Sequence, residues 1–160
     1  AVSQWLASRG KIRWTLPRLR RWFRAHARRP GTRIYGIMAR RRRVGTLKIE
    51  GLGSERWASV GLMIGERRLR GQGIGTSAIR EAVKIADRAE NIGVWAGMLE
   101  LNVPSERAFR RAGFCFAGAI WPDGEATFLG FGNLPFVVVC SPFQRGTKRF
   151  VKRLRRVMPL

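Results

Sequence analysis

Histidine occurs once, as His26, and cysteine twice, as Cys115 and Cys140, with no CxxC spacing and no Cys/His cluster. A zinc centre would need a tetrahedral set of such ligands, and none can be assembled. A Ser-His-Asp or Cys-His relay is excluded as well, unless His26 served alone. The two cysteines read as small apolar core residues in a reducing compartment, which makes the chain an expected cytoplasmic protein. Long apolar runs are also lacking. The longest, such as Phe136 to Cys140, fall far short of the ~20 residues that a membrane span requires. No apolar h-region of a secretory signal opens the chain, and no internal repeat or Pro/Ser-rich linker divides it.

Acid is missing from both ends. Residues 1–49 and 126–160 contain no Asp or Glu, so all ten acids lie between Glu50 and Glu125, while the chain carries a net charge of +22. Such ends attract anions through a long-range field, whether a nucleotide coenzyme, RNA, the ribosome or anionic lipid. The plain alternative is an arginine-rich coding bias that only solvates the surface. With 160 residues, 45% of them hydrophobic, the chain is long enough to bury one core.

Leu16, Leu19, Trp22, Phe23 and His26 recur at helical spacing, with Arg18, Arg20, Arg21, Arg24 and Arg28 on the opposite side. Thr15 is placed to cap this helix, Pro17 fits its first turn and Pro30-Gly31 ends it. Its apolar face is expected to pack on a sheet, a membrane surface being the alternative. Arg33 to Ala39 and Val44 to Ile49 are β-rich runs around Arg40 to Arg43, which reads as a hairpin with the charges at its tip. Trp57 to Ile64 is a third strand. A helix is expected from about Thr76 to Glu90, with Ile79, Val83 and Ala86 on its buried face. Val94 to Leu101 is another strand and Pro104 to Ala112 a short helix. Phe114 to Ile120 and Ala126 to Phe131 read as a hairpin around Pro122-Asp123-Gly124. The order predicts an α/β domain with a mixed sheet, antiparallel at first and joined in the middle by a helical crossover. In the tail, Phe150, Leu154 and Val157 suit either a docked helix or a basic arm.

The segment that carries chemistry is Arg70-Gly71-Gln72-Gly73-Ile74-Gly75-Thr76, between a strand and a helix. Alternate glycines let successive N–H groups point into one concavity, and the helix start adds roughly half a positive charge. A diphosphate suits such a place, with Arg70 as a charged donor at its rim. A Walker A loop is excluded, because the first lysine after the glycines is Lys84. The dinucleotide fingerprint and the kinase loop both need a glycine where Thr76 stands. A plain strand-to-helix turn is the remaining alternative.

Arg70-x-x-Gly73-x-Gly75 resembles the R/Q-x-x-G-x-G/A signature of the GNAT superfamily of N-acyltransferases. Val60 to Gly65 is similar to the strand that precedes it there, and Thr76 to Ile79 to the helix that follows. Leu99-Glu100-Leu101-Asn102 and then Asn102-x-x-Ser105-x-x-Ala108-Phe109-x-x-x-Gly113-Phe114 resemble the family's second motif at the expected separation. The similarity covers about residues 5–131 and is nearest the branch that acetylates ribosomal-protein N-termini, with its small-amine relatives. It implies a mostly antiparallel sheet flanked by helices, with two central strands splayed apart. Residues 1–131 would form the acyltransferase domain, and 132–160 a basic C-terminal extension packed on it or trailing from it. Acetyl-CoA would be the co-substrate and no metal would take part. The backbone of Gly71, Gln72, Gly73, Ile74, Gly75 and Thr76 would hold its pyrophosphate, with Arg70 beside it. The strand edge at Met63 and Ile64 would hydrogen-bond the pantetheine arm, Asn102 and Ser105 would orient arm or amine, and Phe109 would serve as core or pantetheine packing.

The pattern departs from the family in three places. Phe109 stands where many members carry a tyrosine that protonates the leaving thiolate, and Tyr35, the only tyrosine, belongs to an early strand. Trp5 and Leu6 already resemble the first helix, so the family's first strand is expected to be absent or supplied by a partner. The basic end matches nothing in the family. Glu100 is the preferred general base, with Glu55 and Glu66 as alternatives. The acceptor is expected to be a primary amine: a protein N-terminus, an amino sugar or a small amine, with the basic surface favouring an anionic carrier. The competing reading is a non-catalytic protein that keeps this fold, with CoA as a ligand, and uses its basic ends to contact RNA or ribosomes. A homodimer is left open.

Overall fold

The computed structural model describes residues 15–120 and 136–140. Helix α1 (Leu16–Ala27) leads into the hairpin β1 (Arg33–Ala39) and β2 (Arg42–Glu50), then β3 (Trp57–Ile64), a single 3-10 turn at Arg67–Leu69, α2 (Ile74–Arg88), β4 (Gly93–Leu99), α3 (Val103–Arg111), β5 (Cys115–Ile120) and β6 (Phe136–Cys140). The expected strand Ala126 to Phe131, Trp5 and Leu6, and the tail stripe at Phe150, Leu154 and Val157 lie outside the described residues.

The six strands form one sheet in the order β1-β2-β3-β4-β6-β5. β3 and β4, joined through α2, are its only parallel neighbours among the described residues; every other pairing is antiparallel. The β3–β4 ladder lasts only from Trp57↔Gly93 to Ser59↔Trp95. Beyond it β3 continues to Ile64 and β4 to Leu99 without pairing to each other, so the sheet opens into a V at its centre. Phe136–Cys140 fills the place between β4 and β5, pairing with both. The sheet therefore reaches past residue 131, where the resemblance ended the domain.

α2 is held by its buried face. Ile79 and Ala82 are fully buried and Ala86 nearly so, against Ala58 and Val60 of β3 and Val94 and Ala96 of β4. Burial of a side chain such as Ile79 stabilises by about 2–3 kcal/mol. Phe109 of α3 and Phe114 close the same core edge-to-face, with ring centroids 5.0 Å apart.

Three local expectations are corrected. Thr15 sits at the N-cap of α1 with extended dihedrals but makes no side-chain cap bond. The apolar face of α1 does not bury itself on the sheet: Leu16, Trp22 and Phe23 are 59%, 39% and 43% exposed. Lys48 Nζ of β2 lies 5.9 Å from the Trp22 ring, which itself stacks on His26. Cys115 is exposed as a free thiol rather than buried. Among the described residues β5 is an edge strand of the sheet, so a side chain on it has fewer neighbours to cover it.

Candidate functional site

The V is continued on one side by the glycine loop. Gly71 and Gly73 adopt φ of +77° and +81°, conformations that side chains with a Cβ avoid. A Cβ at either would meet nothing within 4 Å, so the loop surface there is open. Gly73 is the N-cap of α2 and offers no capping side chain. The first helical bond is Ser77 N–H to the Gly73 carbonyl at 2.9 Å. Upstream of it, the N–H groups of Gly71 to Thr76 donate to no backbone carbonyl among the described residues. Several adjacent unsatisfied donors at a helix start, with no acid in its first turn, make a site for an anion.

The loop borders a cleft of about 510 Å³ whose walls come from the ends of β3 and α2 and from α3. Met63, Ile64, Arg70, Gly71, Gly73, Gly75 and Thr76 line it, and so do Asn102 and Ser105 across the V. Gln72 and Ile74, also expected there, do not line it: the Gln72 amide turns back to the Arg68 carbonyl at 2.8 Å, and Ile74 packs against the core. Thr76 is buried, and its hydroxyl donates to the Ala108 carbonyl at 3.4 Å, joining α2 to α3. Asn102 is the N-cap of α3, its side-chain oxygen accepting from Ser105 N–H at 3.4 Å. Their remaining polar groups are the ones left for a ligand.

The strand edge is offset by one residue from the expectation. Gly65 N–H bonds the Val44 carbonyl of β2 at 2.9 Å. Backbone direction alternates along a strand, so Met63, paired with Thr46, also turns its N–H and C=O to β2. The groups that face the V belong to Leu62 and Ile64. Met63 still lines the cleft. The Ile64 carbonyl already accepts from Arg70 Nε at 3.1 Å, so Arg70 locks the loop to the strand while lining the cleft.

Phe109 is 2% exposed and belongs to the core, not the cleft. Glu100 follows β4 in an exposed turn and does not line the cleft. Glu66 is exposed beside the 3-10 turn, Tyr35 is exposed on β1, and Glu55 borders a separate cavity on the sheet. None of these residues lines the cleft. Two residues that motif reading missed, Arg107 and Arg111, stand one helical turn apart on α3 and line the cleft. Neither forms an ion pair among the described residues, since Glu106 is held by Arg110 at 2.8 Å. The signal was present in their i, i+4 spacing on the face that carries Pro104 and Ala108. The cleft thus presents three arginines and no carboxylate, a field suited to a polyanion.

Solved structures with the same fold include the aminoglycoside acetyltransferase AAC(6')-Ib in complex with coenzyme A and kanamycin, at TM-score 0.71 and 14% identity, covering 94% of this chain and 86% of that one. Another is spermidine N-acetyltransferase from Vibrio cholerae in complex with CoA and spermine, at TM-score 0.66 and 12% identity, covering 82% and 78%. No curated protein matches the sequence. The sequence model of the acetyltransferase (GNAT) domain matches residues 1–115, a match to the domain family that selects no branch within it. This match spans most of the chain and includes the loop, the V and α3, and the chain belongs to the GNAT family of acetyltransferases.

Proposed function

We propose that the protein transfers an acetyl group from acetyl-CoA to a primary amine. The observation that carries this reading is the row of free N–H groups from Gly71 to Thr76 opening onto a split sheet. Their spacing suits the pyrophosphate, and Arg107 and Arg111 supply charge for the remaining phosphate. The arm then runs along the Leu62 and Ile64 edge, which brings its thioester to the apex of the V. Solved structures of the same fold hold coenzyme A together with kanamycin or spermine, which supports this reading.

The amine lone pair attacks the thioester carbonyl, the carbon–sulfur bond breaks, and the nitrogen loses a proton as sulfur gains one. Positioning supplies most of the acceleration. Phe109 has no proton to give and is buried in the core, so proton exchange runs through water or the amine itself.

Calorimetric titration with acetyl-CoA tests the reading, alongside a Gly73→Asp/Gly75→Asp variant that puts carboxylates where the phosphates belong. Binding by the parent that the variant loses is expected. Absence of binding in the parent would reduce the loop to a turn. Contact with RNA through the acid-free ends is a second reading, supported by the uncovered aromatic and arginine-rich surface of α1. Salt-insensitive RNA binding would remove it.

A further inference from the structure

On the face of the sheet away from α2 lies a second cavity of about 290 Å³. Ala58, Val60, Val94 and Ala96 point into the core beside α2, so by strand alternation Ser59 and Trp95 point the other way. Glu50, Ser59 and Trp95 form one row across β2, β3 and β4, and all three line this cavity with Glu55, Thr32 and Arg29. The row is also the last rung before β3 and β4 part. One step further along the V the corresponding positions are Gly61, at which a Cβ would meet nothing within 4 Å, and the exposed Gly97. The cavity therefore opens toward the apex over the bare backbone of β3 and β4, with Lys48 of β2 standing beside Gly61, on the face of the sheet opposite α2.

Its chemistry departs from that of the chain. Glu50 and Glu55 are the first two acids in the sequence, and both border this one space. The Glu50 carboxylate is fixed by Lys48 at 2.8 Å. Glu55 has no ion-pair partner among the described residues, and its segment is held by Asn91, whose amide donates to the Gly51 and Glu55 carbonyls at 2.8 and 2.7 Å. Arg29 is the single cation in the lining. The excess of positive charge elsewhere is screened over about 8–10 Å in physiological salt, so carboxylates in contact with a ligand outweigh it. The volume lies at the small end of the ~300–1,000 Å³ typical of ligand pockets.

Resting on the acetyl-transfer reading, we propose that this cavity receives the acceptor, and that the acceptor is a small aliphatic amine carrying a second ammonium group. Glu55, with Glu50 beside it, holds the distal ammonium. The methylene chain packs on Trp95, and the reacting nitrogen extends over Gly61 and Gly97 to the thioester. The acceptor class is thus opposite in sign to what the net charge of the chain suggests.

The test compares three amines of equal length, 1,6-diaminohexane, 6-aminohexan-1-ol and 6-aminohexanoate, by CoA release at saturating acetyl-CoA. Preference for the diamine over 6-aminohexanoate by at least about tenfold in kcat/KM is expected. In Glu55→Gln it should collapse through KM with kcat nearly kept, and Glu50→Gln should weaken it less. A flat series, preference for 6-aminohexanoate through Arg29, or a preference retained in both variants would overturn the inference. Calorimetry with 1,6-diaminohexane on the CoA-saturated chain reads the site without catalysis. Binding that the Glu50→Gln/Glu55→Gln variant loses supports the site, and no binding overturns it. Failure of acetyl-CoA itself to bind would instead overturn the acetyl-transfer reading. Melting curves and unchanged acetyl-CoA affinity show that the variants are folded.

Discussion

Arg70 reaches back to donate its Nε hydrogen to the carbonyl of Ile64, 3.1 Å away. The bond ties the first residue of the glycine loop to the last residue of β3, so the loop and the edge of the V are joined directly. Arg70→Ala should weaken acetyl-CoA by about tenfold or more, since a charge-assisted hydrogen bond and a cation are lost together. Arg70→Lys keeps the charge but not the planar fork, and should recover only part of the affinity in the same titration.

Arg107 and Arg111 make a prediction about salt. With three arginines and no carboxylate lining the cleft, acetyl-CoA affinity should fall as ionic strength rises. The Arg107→Ala/Arg111→Ala variant should bind about tenfold more weakly in low salt and depend less on salt than the parent. Parallel titrations at two salt concentrations check both statements.

The hairpin tip between β1 and β2 is strained by its own residues. Arg40 and Arg41 hold φ of +47° and +62° in the two-residue turn closed by Ala39↔Arg42. A turn of this hand is suited to Asn-Gly, and left-handed backbone costs other residues about 1–2 kcal/mol each. Arg40→Asn/Arg41→Gly should therefore raise stability by about 1–2 kcal/mol in a denaturant titration without altering acetyl-CoA affinity.

The core prediction is the opposite in sign. Ile79 is fully buried where α2 crosses β3 and β4, so Ile79→Ala should cost about 2–5 kcal/mol. Because α2 also carries the loop, the same variant should loosen acetyl-CoA binding at temperatures where the chain is still folded.

Local chemistry made much of this legible. Ile79 and Ala86 recur at helical spacing because one face of α2 must be buried, and Gly71 and Gly73 stand where positive φ is required. The strands β1, β2 and β3 follow from β-rich runs and turn residues. Non-local facts were hidden. Phe136–Cys140 reads as a short apolar run that periodicity cannot assign, and only its partners β4 and β5 make it an interior strand. Phe109 lies within the motif that lines the cleft, yet its side chain points to Phe114, a choice set by packing. Glu55 was legible only as an alternative base, and its place with Glu50 in one cavity follows from strand pairing that no local pattern encodes. The helical stripe of α1 foretold a buried face that the sheet does not cover.

The parting of β3 and β4 also has a thermodynamic side. From Val60 to Ile64 and from Ala96 to Leu99 the two inner edges lack each other's hydrogen bonds, so the sheet is held together across its middle by three rungs and by α2. An arm that hydrogen-bonds one of these edges acts as part of the sheet, and its binding energy becomes folding energy. At a ligand concentration of a hundred times Kd that linkage is worth about 2.7 kcal/mol. The temperature at which the chain melts is thus a gauge of how much coenzyme surrounds it.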